Sequence, residues 1–472
     1  MFANRGWKVA IYEARADLRL SAVQANTRQR SINFTISHRG IAALEAIFPD
    51  AAEQFIQNVS IPMRGRMIHR TDGGLDSQLY DRYGQCINSC NRALLNADLL
   101  GRVCKTEGID VYFRHKVCSV DFDGRSMVVK DLDHTDQQTE IVTFDLCVGA
   151  DGSYSTVRRE MMKVVRMDFQ QEYINHEYME LHMPPGLNNT FCFDPNHLHI
   201  WPRQSHMLIA MANRDQTFTC TLFAPSAQFN SLDTPEKFLE WFKDNFPDAF
   251  QAIGEKRLLQ DHLCNPRSAL VNPYHYKDRG ILLGDAAHSM VPFYGQGLNC
   301  GLEDVRVLKI LLDKEQVQSI VNDAEKADEC RDFEQEGERL ARALARFSEE
   351  RHKDLIAITD LAMTNYIELR HLVATPMYLL RKILDSWLHS LSEAKPLSAL
   401  SELLCRELYD VEEPKTWDWL PLYTMVTFRP DISYDQARRK ALRQASILTW
   451  AGYSSIAITG LMCWWILRIV LS

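Results

Sequence analysis

Residues 280–301 combine an acid, several glycines and a helix start in one short stretch. The apolar run 281–283 predicts a buried strand, Asp285 follows its end, and Gly295-Gln296-Gly297 leads into a helix that begins near Leu298. A carboxylate accepts hydrogen bonds from polyol hydroxyls, glycines allow close approach to a flat ring, and a helix N-terminus stabilises negative charge. Together these groups suit FAD. An ordinary strand, turn and helix with a surface acid is the alternative.

Two further strand ends carry acids that suit the same ligand. Residues 145–152 form a strand-like run that includes Asp151, and a helix is predicted over 153–162. The sequence also predicts a strand over Val9–Glu13. In a dinucleotide-binding unit such a terminal acid bonds the adenosine ribose and follows a glycine-rich turn by roughly 20 residues. Counting back from Glu13 passes the start of the sequence, so that first strand and its glycines are expected to be absent from it.

Two pairs of polar side chains have the spacing of a substrate clamp. Arg64 and Arg66 stand one residue apart in the strand-like stretch 61–69. Alternation therefore places both on one face, where they would bind a carboxylate; exposed arginines on an edge strand are the alternative. Asn365 and Glu368 are three residues apart on a predicted helix and share a face. That face contacts either a substrate or a neighbouring helix.

Six segments of the chain carry a family resemblance: 30–33 (RSIN), 37–40 (SHRG), 61–69 (IPMRGRMIH), 284–304 (GDAAHSMVPFYGQGLNCGLED), 365–370 (NYIELR) and 421–428 (PLYTMVTF). With them the chain resembles the kynurenine 3-monooxygenase family of flavin-dependent aromatic hydroxylases, from about Val9 to the C-terminus. The resemblance implies hydroxylation of L-kynurenine to 3-hydroxy-L-kynurenine with FAD, NADPH and O2. It places that reaction in tryptophan degradation and de novo NAD biosynthesis.

The resemblance also implies roles for individual residues. Substrate contacts fall on Arg66, for the substrate carboxylate, and on Tyr80, Asn365 and Tyr423, with Tyr83 as the alternative to Tyr80. No side chain is assigned as a general acid or base, because the amino group of the substrate already activates its ring. The positions that match FAD contacts are Glu13, Thr35, Arg92, Val117, Thr156, Asp285, Gly297, Leu298 and Asn299.

The predicted fold is of the α/β class: a Rossmann-like FAD-binding domain with an inserted antiparallel β-sheet. Spaced strand patterns between turns place the antiparallel substrate domain at 169–270. The FAD-binding domain is expected over 1–168 and 271–330, followed by a helical C-terminal region over 331–440. With 472 residues, the chain is long enough for two or three domains.

Residues 446–467 form an apolar run long enough to cross a bilayer as a helix. Basic residues precede the run, and tryptophans lie near both of its ends. We expect a transmembrane helix here. The resemblance implies the mitochondrial outer membrane, with the catalytic body facing the cytosol. A terminal amphipathic helix docked on the body of the protein is the alternative.

Composition limits the remaining possibilities. The net charge of −9 argues against a nucleic-acid partner, and none of the 12 cysteines has C-x-x-C spacing. His197 and His199 have no third candidate ligand nearby in the sequence, so no metal site is predicted. Two other hypotheses stay open. One is a membrane-anchored pseudoenzyme or interaction protein, and the other is a hydroxylase of another aromatic substrate.

Overall fold

The computed structural model describes residues 1–20, 33–49, 52–81, 83–133, 138–259, 263–264, 267–319, 333–393 and 419–470. Residues 30–32 of the RSIN segment lie outside these ranges. The chain divides into two compact units, Met1–Thr375 and Pro376–Ser472.

The strands of the first unit account for most of its architecture. In chain order they are β1 (Val9–Glu13), β2 (Asn33–Ile36), β3 (Ser60–Met63), β4 (Gly65–His69), β5 (Leu75–Leu79), β6 (Ile87–Asn91), β7 (Ile109–Phe113), β8 (His115–Asp121), β9 (Ser126–Asp131), β10 (Thr139–Thr143), β11 (Cys147–Gly149), β12 (Asp168–Tyr173), β13 (His176–Met183), β14 (His197–Arg203), β15 (His206–Ala212), β16 (Phe218–Pro225), β17 (Leu263–Cys264), β18 (Arg267–Asn272), β19 (His275–Tyr276), β20 (Gly280–Leu282) and β21 (His288–Ser289).

Several small sheets carry the strand ends that were predicted to hold FAD. Strand β1 pairs in parallel with β7, and β11 pairs in parallel with β20, which also pairs with β19. Antiparallel sheets with the orders β10-β9-β8, β2-β6-β3 and β12-β18-β21 complete this part. Because parallel strands end at the same sheet edge, Asp151 after β11 and Asp285 after β20 lie at one edge.

A seven-stranded sheet has the order β17-β13-β16-β15-β14-β4-β5. Its neighbours are antiparallel except for β14 and β4, which are parallel. Strand β16 is buried along almost its whole length, which fits a central strand covered on both faces. The strands predicted within 169–270 correspond to β13–β16, while β4 and β5 join the same sheet from earlier in the chain.

The structure corrects the predicted geometry of the two arginines. The stretch 61–69 is not one strand: β3 and β4 belong to different sheets, and Arg64 lies between them. Arg64 is exposed, whereas Arg66 within β4 is buried. The alternation that predicted a shared face fails because the chain leaves one sheet and enters another at this position.

The helices of the first unit cover these sheets and link them. They are α1 (His38–Glu45), α2 (Ala52–Val59), α3 (Arg92–Val103), α4 (Thr156–Met161), α5 (Ser226–Ser231), α6 (Pro235–Asn245), α7 (Pro247–Ile253), α8 (Glu255–Leu258), α9 (Gly297–Lys314) and α10 (Phe333–Arg370). The helix predicted near Leu298 is confirmed as α9. Phe242 of α6, Ala249 of α7 and Phe246 between the two helices form a core with Trp201 and Leu222 of the seven-stranded sheet.

The second unit is helical over its described residues. It contains α11 (Pro376–Glu393), α12 (Leu422–Phe428) and α13 (Tyr434–Val470). Residues 421–428, one of the six family segments, include the short helix α12, which carries Tyr423 and whose last four residues, Met425 to Phe428, are buried. Over the described residues, no helix is long and apolar enough to cross a membrane. The predicted transmembrane segment 446–467 lies within α13 and gains no support from this finding.

Candidate active site

The Gly284-Asp285 loop begins where the buried strand β20 ends. Gly284 has a φ of +57°, and no described atom lies within 4 Å of the position a Cβ would take. The Asp285 side chain is exposed, yet desolvation by the surrounding protein raises its pKa against the lowering effect of His288 and Arg92. The Asp285 carboxyl is therefore open to solvent at a place where other protein groups surround it. Its carboxylate is available to ligand hydroxyls there.

Helix α9 starts beside this loop with free backbone donors. Among the described residues no side chain caps it, and its first backbone hydrogen bond runs from Cys300 N to Gln296 O. The N–H groups of residues 297–299 therefore point out of the helix, together with the positive end of its dipole. A Cβ on Gly301 would lie 3.6 Å from the Cα of Gly284, so α9 packs directly on the loop.

Asn299 fixes the glycine turn that precedes this helix. Its buried Oδ1 accepts a hydrogen bond from Ser37 N at 2.9 Å, and its Nδ2 donates to Thr35 O at 2.8 Å and Gly295 O at 2.9 Å. The Thr35 hydroxyl also donates to Gly295 O at 3.0 Å. Gly295 has a φ of +65°, and a Cβ there would collide with the Thr35 hydroxyl. Thr35 and Asn299 therefore position the turn, and only glycine fits at residue 295.

A buried ion cluster ties α9 to the loop and to α10. Asp304 accepts hydrogen bonds from Gly284 N at 2.9 Å, His288 Nε2 at 2.5 Å and Arg351 Nε at 2.8 Å. Burial opposes ionisation of Asp304, but the charges of His288 and Arg351 outweigh it and hold its pKa below the ordinary value. The carboxylate is thus a charged anchor for the backbone immediately before Asp285.

Arg158 joins the two acidic loops at the sheet edge. Its guanidinium donates to Ala286 O and to Ser153 O, both at 2.7 Å. Asp151 accepts from Thr156 N at 2.6 Å and from Val157 N at 3.1 Å, so it caps the start of α4. The backbone N–H of Thr156 is therefore occupied by Asp151.

The remaining predicted FAD contacts lie around this core. Arg92 is exposed at the start of α3, 5.2 Å from the ring centroid of Phe34, and its charge acts on Asp285. Glu13 ends β1 and accepts a hydrogen bond from Arg15 N at 2.8 Å. Val117 is half-buried on β8, within a different sheet. The structure thus brings Arg92 to Asp285, while Glu13 and Val117 lie on other sheets.

These groups fit FAD. The Asp285 carboxylate suits ribityl hydroxyls, and the unpaired N–H groups of residues 297–299 suit an electron-rich ring. Gly284 and Gly297 leave space for a ligand, since the described atom nearest to a Cβ on Gly297 is Met290 Cγ at 3.8 Å. Leu298 packs on the cluster around Ile36 and holds the helix start in place.

Arg66 and Glu368 form an ion pair, with Arg66 on β4 and Glu368 on α10. Arg66 donates to Glu368 Oε1 at 3.0 Å, and the side chains are 7% and 29% exposed. The Tyr80 ring lies 5.9 Å from the Arg66 guanidinium carbon, whereas Tyr83 is 62% exposed. Arg66 was predicted to pair with a substrate carboxylate; in this structure Glu368 is its partner. The pair combines one positive and one negative group at one place.

Aromatic rings connect this ion pair to the glycine turn. Asn365 on α10 donates to Phe293 O at 3.0 Å, and Tyr366 stacks on the Phe293 ring at 3.9 Å between centroids. Phe223 meets Phe293 edge-on at 5.2 Å. Phe293 precedes Gly295 by two residues, so the polar face of α10 and the α9 turn share one wall. Tyr423 belongs to the second unit, and its role as a substrate contact stays a prediction.

Comparison with known proteins identifies the family. The FAD binding domain family matches residues 51–345. Kynurenine 3-monooxygenase of Cryptococcus neoformans is 41% identical over 95% of this chain and 90% of its own length. The Saccharomyces cerevisiae and Caenorhabditis elegans enzymes of the same name are 39% and 37% identical, each over 95% of this chain and 90% of their own length.

The chain belongs to the kynurenine 3-monooxygenase family. This confirms the resemblance that the six sequence segments carried. Solved structures show the fold: 2-methyl-3-hydroxypyridine-5-carboxylic acid oxygenase aligns with a TM-score of 0.59 at 18% identity, over 80% of this chain and 90% of that chain. PqsL of Pseudomonas aeruginosa aligns with a TM-score of 0.59 at 17% identity, over 78% of this chain and 92% of that chain.

Several residues of this kynurenine 3-monooxygenase family member were missed from the sequence. Asp304 and His288 lie inside the recognised 284–304 segment, but their partner Arg351 stands 47 residues beyond Asp304, outside the six family segments. The pair of Arg39 with Glu303, at 2.8 Å and buried on both sides, joins α1 to α9 in the same way. The available signal for these ion pairs was the helical spacing of charged residues within one segment. It did not reveal which charges were buried.

One cluster has the composition of a metal site. His288, Cys300 and Asp304 offer ligand atoms within 4.8 Å of one another. However, Arg351 donates to Asp304 and also to Cys300 O and Sγ, at 3.1 and 3.2 Å. A guanidinium in the cluster opposes a metal cation, and burial raises the pKa of the Cys300 thiol well above its ordinary value. The described contacts fit a hydrogen-bonded ion cluster.

Proposed function

We propose that this chain is an FAD-dependent monooxygenase that hydroxylates L-kynurenine to 3-hydroxy-L-kynurenine with NADPH and O2. The reaction belongs to tryptophan degradation and de novo NAD biosynthesis. The observation that carries the proposal is the ion pair of Arg66 and Glu368 beside an aromatic wall, next to the FAD loop. Kynurenine has matching parts, because it joins an amino-acid end to an aniline ring.

The ion pair is suited to exchange with the amino-acid end of the substrate. The substrate carboxylate takes the place of Glu368 on Arg66, with Tyr80 beside it. The substrate ammonium group then pairs with Glu368, so that no buried charge is left without a partner. Asn365, three residues before Glu368 on α10, adds an amide on the same face.

The aromatic wall determines where the substrate ring lies. Phe223, Phe293 and Tyr366 are buried, and burial raises the pKa of Tyr366 to about 12, so its hydroxyl stays neutral. Apolar rings exclude water and hold an aniline ring by edge and face contacts. Since Phe293 leads into the α9 turn, the ring is held toward the flavin cleft.

FAD is proposed to bind through the loop and helix described above. Asp285, Gly297, Leu298 and Asn299 line or position the ribityl and ring portions. The remaining proposed contacts are Glu13, Thr35, Arg92, Val117 and Thr156. When bound, FAD supplies the electron transfer from NADPH and the activation of O2. The protein's own part is to orient the substrate ring, exclude water and stabilise negative charge at the α9 N-terminus.

Substitution of Arg66 by Ala tests the substrate assignment. We expect L-kynurenine affinity to fall by about 3 kcal/mol, roughly a hundredfold, because the substrate carboxylate loses its cation. FAD content stays unchanged. Arg64→Ala is the matched control, since Arg64 is two residues away but exposed. Calorimetry on the FAD-loaded proteins measures the effect, and equal affinity in Arg66→Ala and the parent would refute the assignment.

We further propose that α13 attaches the protein to the mitochondrial outer membrane, with the catalytic body facing the cytosol. Basic residues lie in the first turns of this 37-residue helix. Trp450, Leu461 and Trp464 are 71%, 66% and 59% exposed. Exposed tryptophans after a basic segment suit a lipid interface. Truncation after Arg439 is expected to release the body from the membrane fraction, and a truncated chain that still sediments with membranes would contradict the proposal.

A further inference from the structure

Two buried histidines on neighbouring strands of the seven-stranded sheet form a hydrogen-bonded chain with two partly exposed aspartates. His69 at the end of β4 contacts Asp248 Oδ2 through Nδ1 at 2.6 Å and His199 Nδ1 through Nε2 at 2.9 Å. His199 Nε2 in turn contacts the backbone carbonyl of Asp194 at 2.8 Å. The two imidazoles are 2% exposed each, so water does not replace the bond between the two rings, whereas the Asp248 side chain is 40% exposed. None of these groups has a part in the proposed reaction.

Counting protons along this chain determines the state of His69. A carbonyl oxygen only accepts, so His199 Nε2 must carry a proton and donate to Asp194 O. If His199 is neutral, its Nδ1 has no proton and accepts from His69 Nε2. The other nitrogen of His69 faces a carboxylate, which accepts when ionised. Both ring nitrogens of His69 then carry protons, which makes its side chain an imidazolium cation.

The surroundings of the two histidines support each step. Burial lowers the pKa of His199 to about 4, so this ring is neutral at physiological pH. For Asp248, burial opposes ionisation, but hydrogen bonds from His69 and Trp201 outweigh it and lower the pKa. Asp248 is thus an ionised partner for His69. It accepts from Trp201 Nε1 at 2.8 Å through its other oxygen.

Trp201 also provides a surface for the cation. Its ring stacks on the His69 ring with centroids 3.9 Å apart and planes 24° apart. The face of an indole is electron-rich and attracts a cation. Another cation, Arg203, donates to the backbone carbonyl of His69 at 3.1 Å. His197 stands at the far end, bonded to Asp194 Oδ2 at 2.7 Å and to Ser77 Oγ at 2.9 Å.

We infer that His69 is a buried imidazolium at neutral pH and positions β4, the strand that carries the substrate-binding Arg66. Alternation along β4 places Arg66 and His69 on opposite faces of the sheet. The Asp248–His69–His199 chain therefore holds β4 from the sheet face opposite Arg66, where β4 pairs with β14. Neutral His69 would lose one of its two hydrogen bonds, because one ring nitrogen could no longer donate. The strand would then hold Arg66 less firmly.

The protonation state is tested directly by nitrogen NMR of the full chain labelled with 15N-histidine. At neutral pH, we expect His69 to show two protonated ring nitrogens and His199 to show a proton on Nε2 alone. The Asp248→Asn variant should lose the imidazolium signature, because the anion that holds the second proton is gone. A neutral His69 in the folded parent, or a cation that persists in Asp248→Asn, would overturn the inference.

The positioning role is tested by kinetics and rests on the proposed function. In His69→Gln, we expect KM for L-kynurenine to rise about tenfold with kcat little changed, the size of one lost hydrogen bond to a charged group. His206→Gln is the matched control, a buried histidine on β15 outside this chain of groups, and its KM should stay at the parental value. An unchanged KM in His69→Gln refutes the role. If the parent protein shows no turnover of L-kynurenine, the proposed function is refuted instead. The NMR test of the His69 protonation state does not depend on that outcome.

Discussion

At the scale of single residues, the site depends on charges that are buried in pairs. Arg66 with Glu368, Arg39 with Glu303, and Asp304 with His288 and Arg351 each place opposite charges within 3.0 Å. Buried charges are costly unless they are paired, so each partner requires the other. The pairs near FAD are closed within the protein. Only the pair of Arg66 and Glu368 has partners that a zwitterionic substrate would replace.

Asp304 gives the clearest test of a closed cluster. We expect Asp304→Asn to lower the free energy of unfolding at neutral pH by about 3 kcal/mol, because Arg351 and His288 lose their anion. Since the folded pKa of Asp304 lies below its unfolded value, its stabilisation is present above about pH 4 and is lost as the pH falls through the folded pKa.

Urea unfolding of Asp304→Asn and the parent at several pH values measures this contribution. The difference between them should shrink below about pH 4. Asp313→Asn, near the other end of α9, is the control: its side chain is 50% exposed, and the change should cost less than about 1 kcal/mol. A difference that stays constant to low pH would show that Asp304 is not the charged anchor.

At the scale of elements, the turn into α9 determines the FAD cleft. Gly295→Ala should reduce bound FAD at least tenfold at limiting concentrations, because the new Cβ meets the Thr35 hydroxyl and a left-handed φ costs about 1 kcal/mol more. The turn would move away from Asn299. Gly101→Ala on α3 is the control: its Cβ has open space and should leave the flavin absorbance unchanged. Equal flavin absorbance in Gly295→Ala would contradict this account.

Local patterns predicted the elements that hold FAD. The run 281–283 gave strand β20, the glycines gave the start of α9, and Val9–Glu13 gave β1. These succeed because a strand end, a turn and a helix start are encoded within a few residues. The prediction of one strand over 61–69 failed because these residues enter two different sheets. Which sheet a residue joins depends on the tertiary fold, and the alternation of residues along the chain does not carry that information.

The candidate site was predictable to a different extent at each position. Arg66 and Asn365 lie in family segments, Tyr80 was assigned through the resemblance outside them, and the structure brings Arg66 next to Tyr80. The pairing of Arg66 with Glu368 joins residues 302 positions apart, so only the fold reveals it. Buried charge clusters were missed for the same reason. Their partners stand in helices that look solvated from sequence alone.

At the scale of the first unit, α10 connects the two proposed ligand sites. Arg351 on this helix binds the FAD loop cluster, and Asn365 and Glu368 lie on the substrate side. They are 14 and 17 residues farther along, so about 21 to 26 Å separate the two ends of one rigid element. The same helix therefore helps to position both the Gly284-Asp285 loop and the Arg66–Glu368 pair. This arrangement suits a reaction in which ring and cofactor must meet in a fixed orientation.

Product analysis with labelled oxygen tests the central claim most directly. The full chain is loaded with FAD and supplied with NADPH, L-kynurenine and 18O2, and the product is analysed by mass spectrometry. The account predicts 3-hydroxy-L-kynurenine with one 18O atom and one NADPH consumed per product. A flavin-loaded protein that forms no hydroxylated kynurenine, or one whose product takes its oxygen from water, would contradict it.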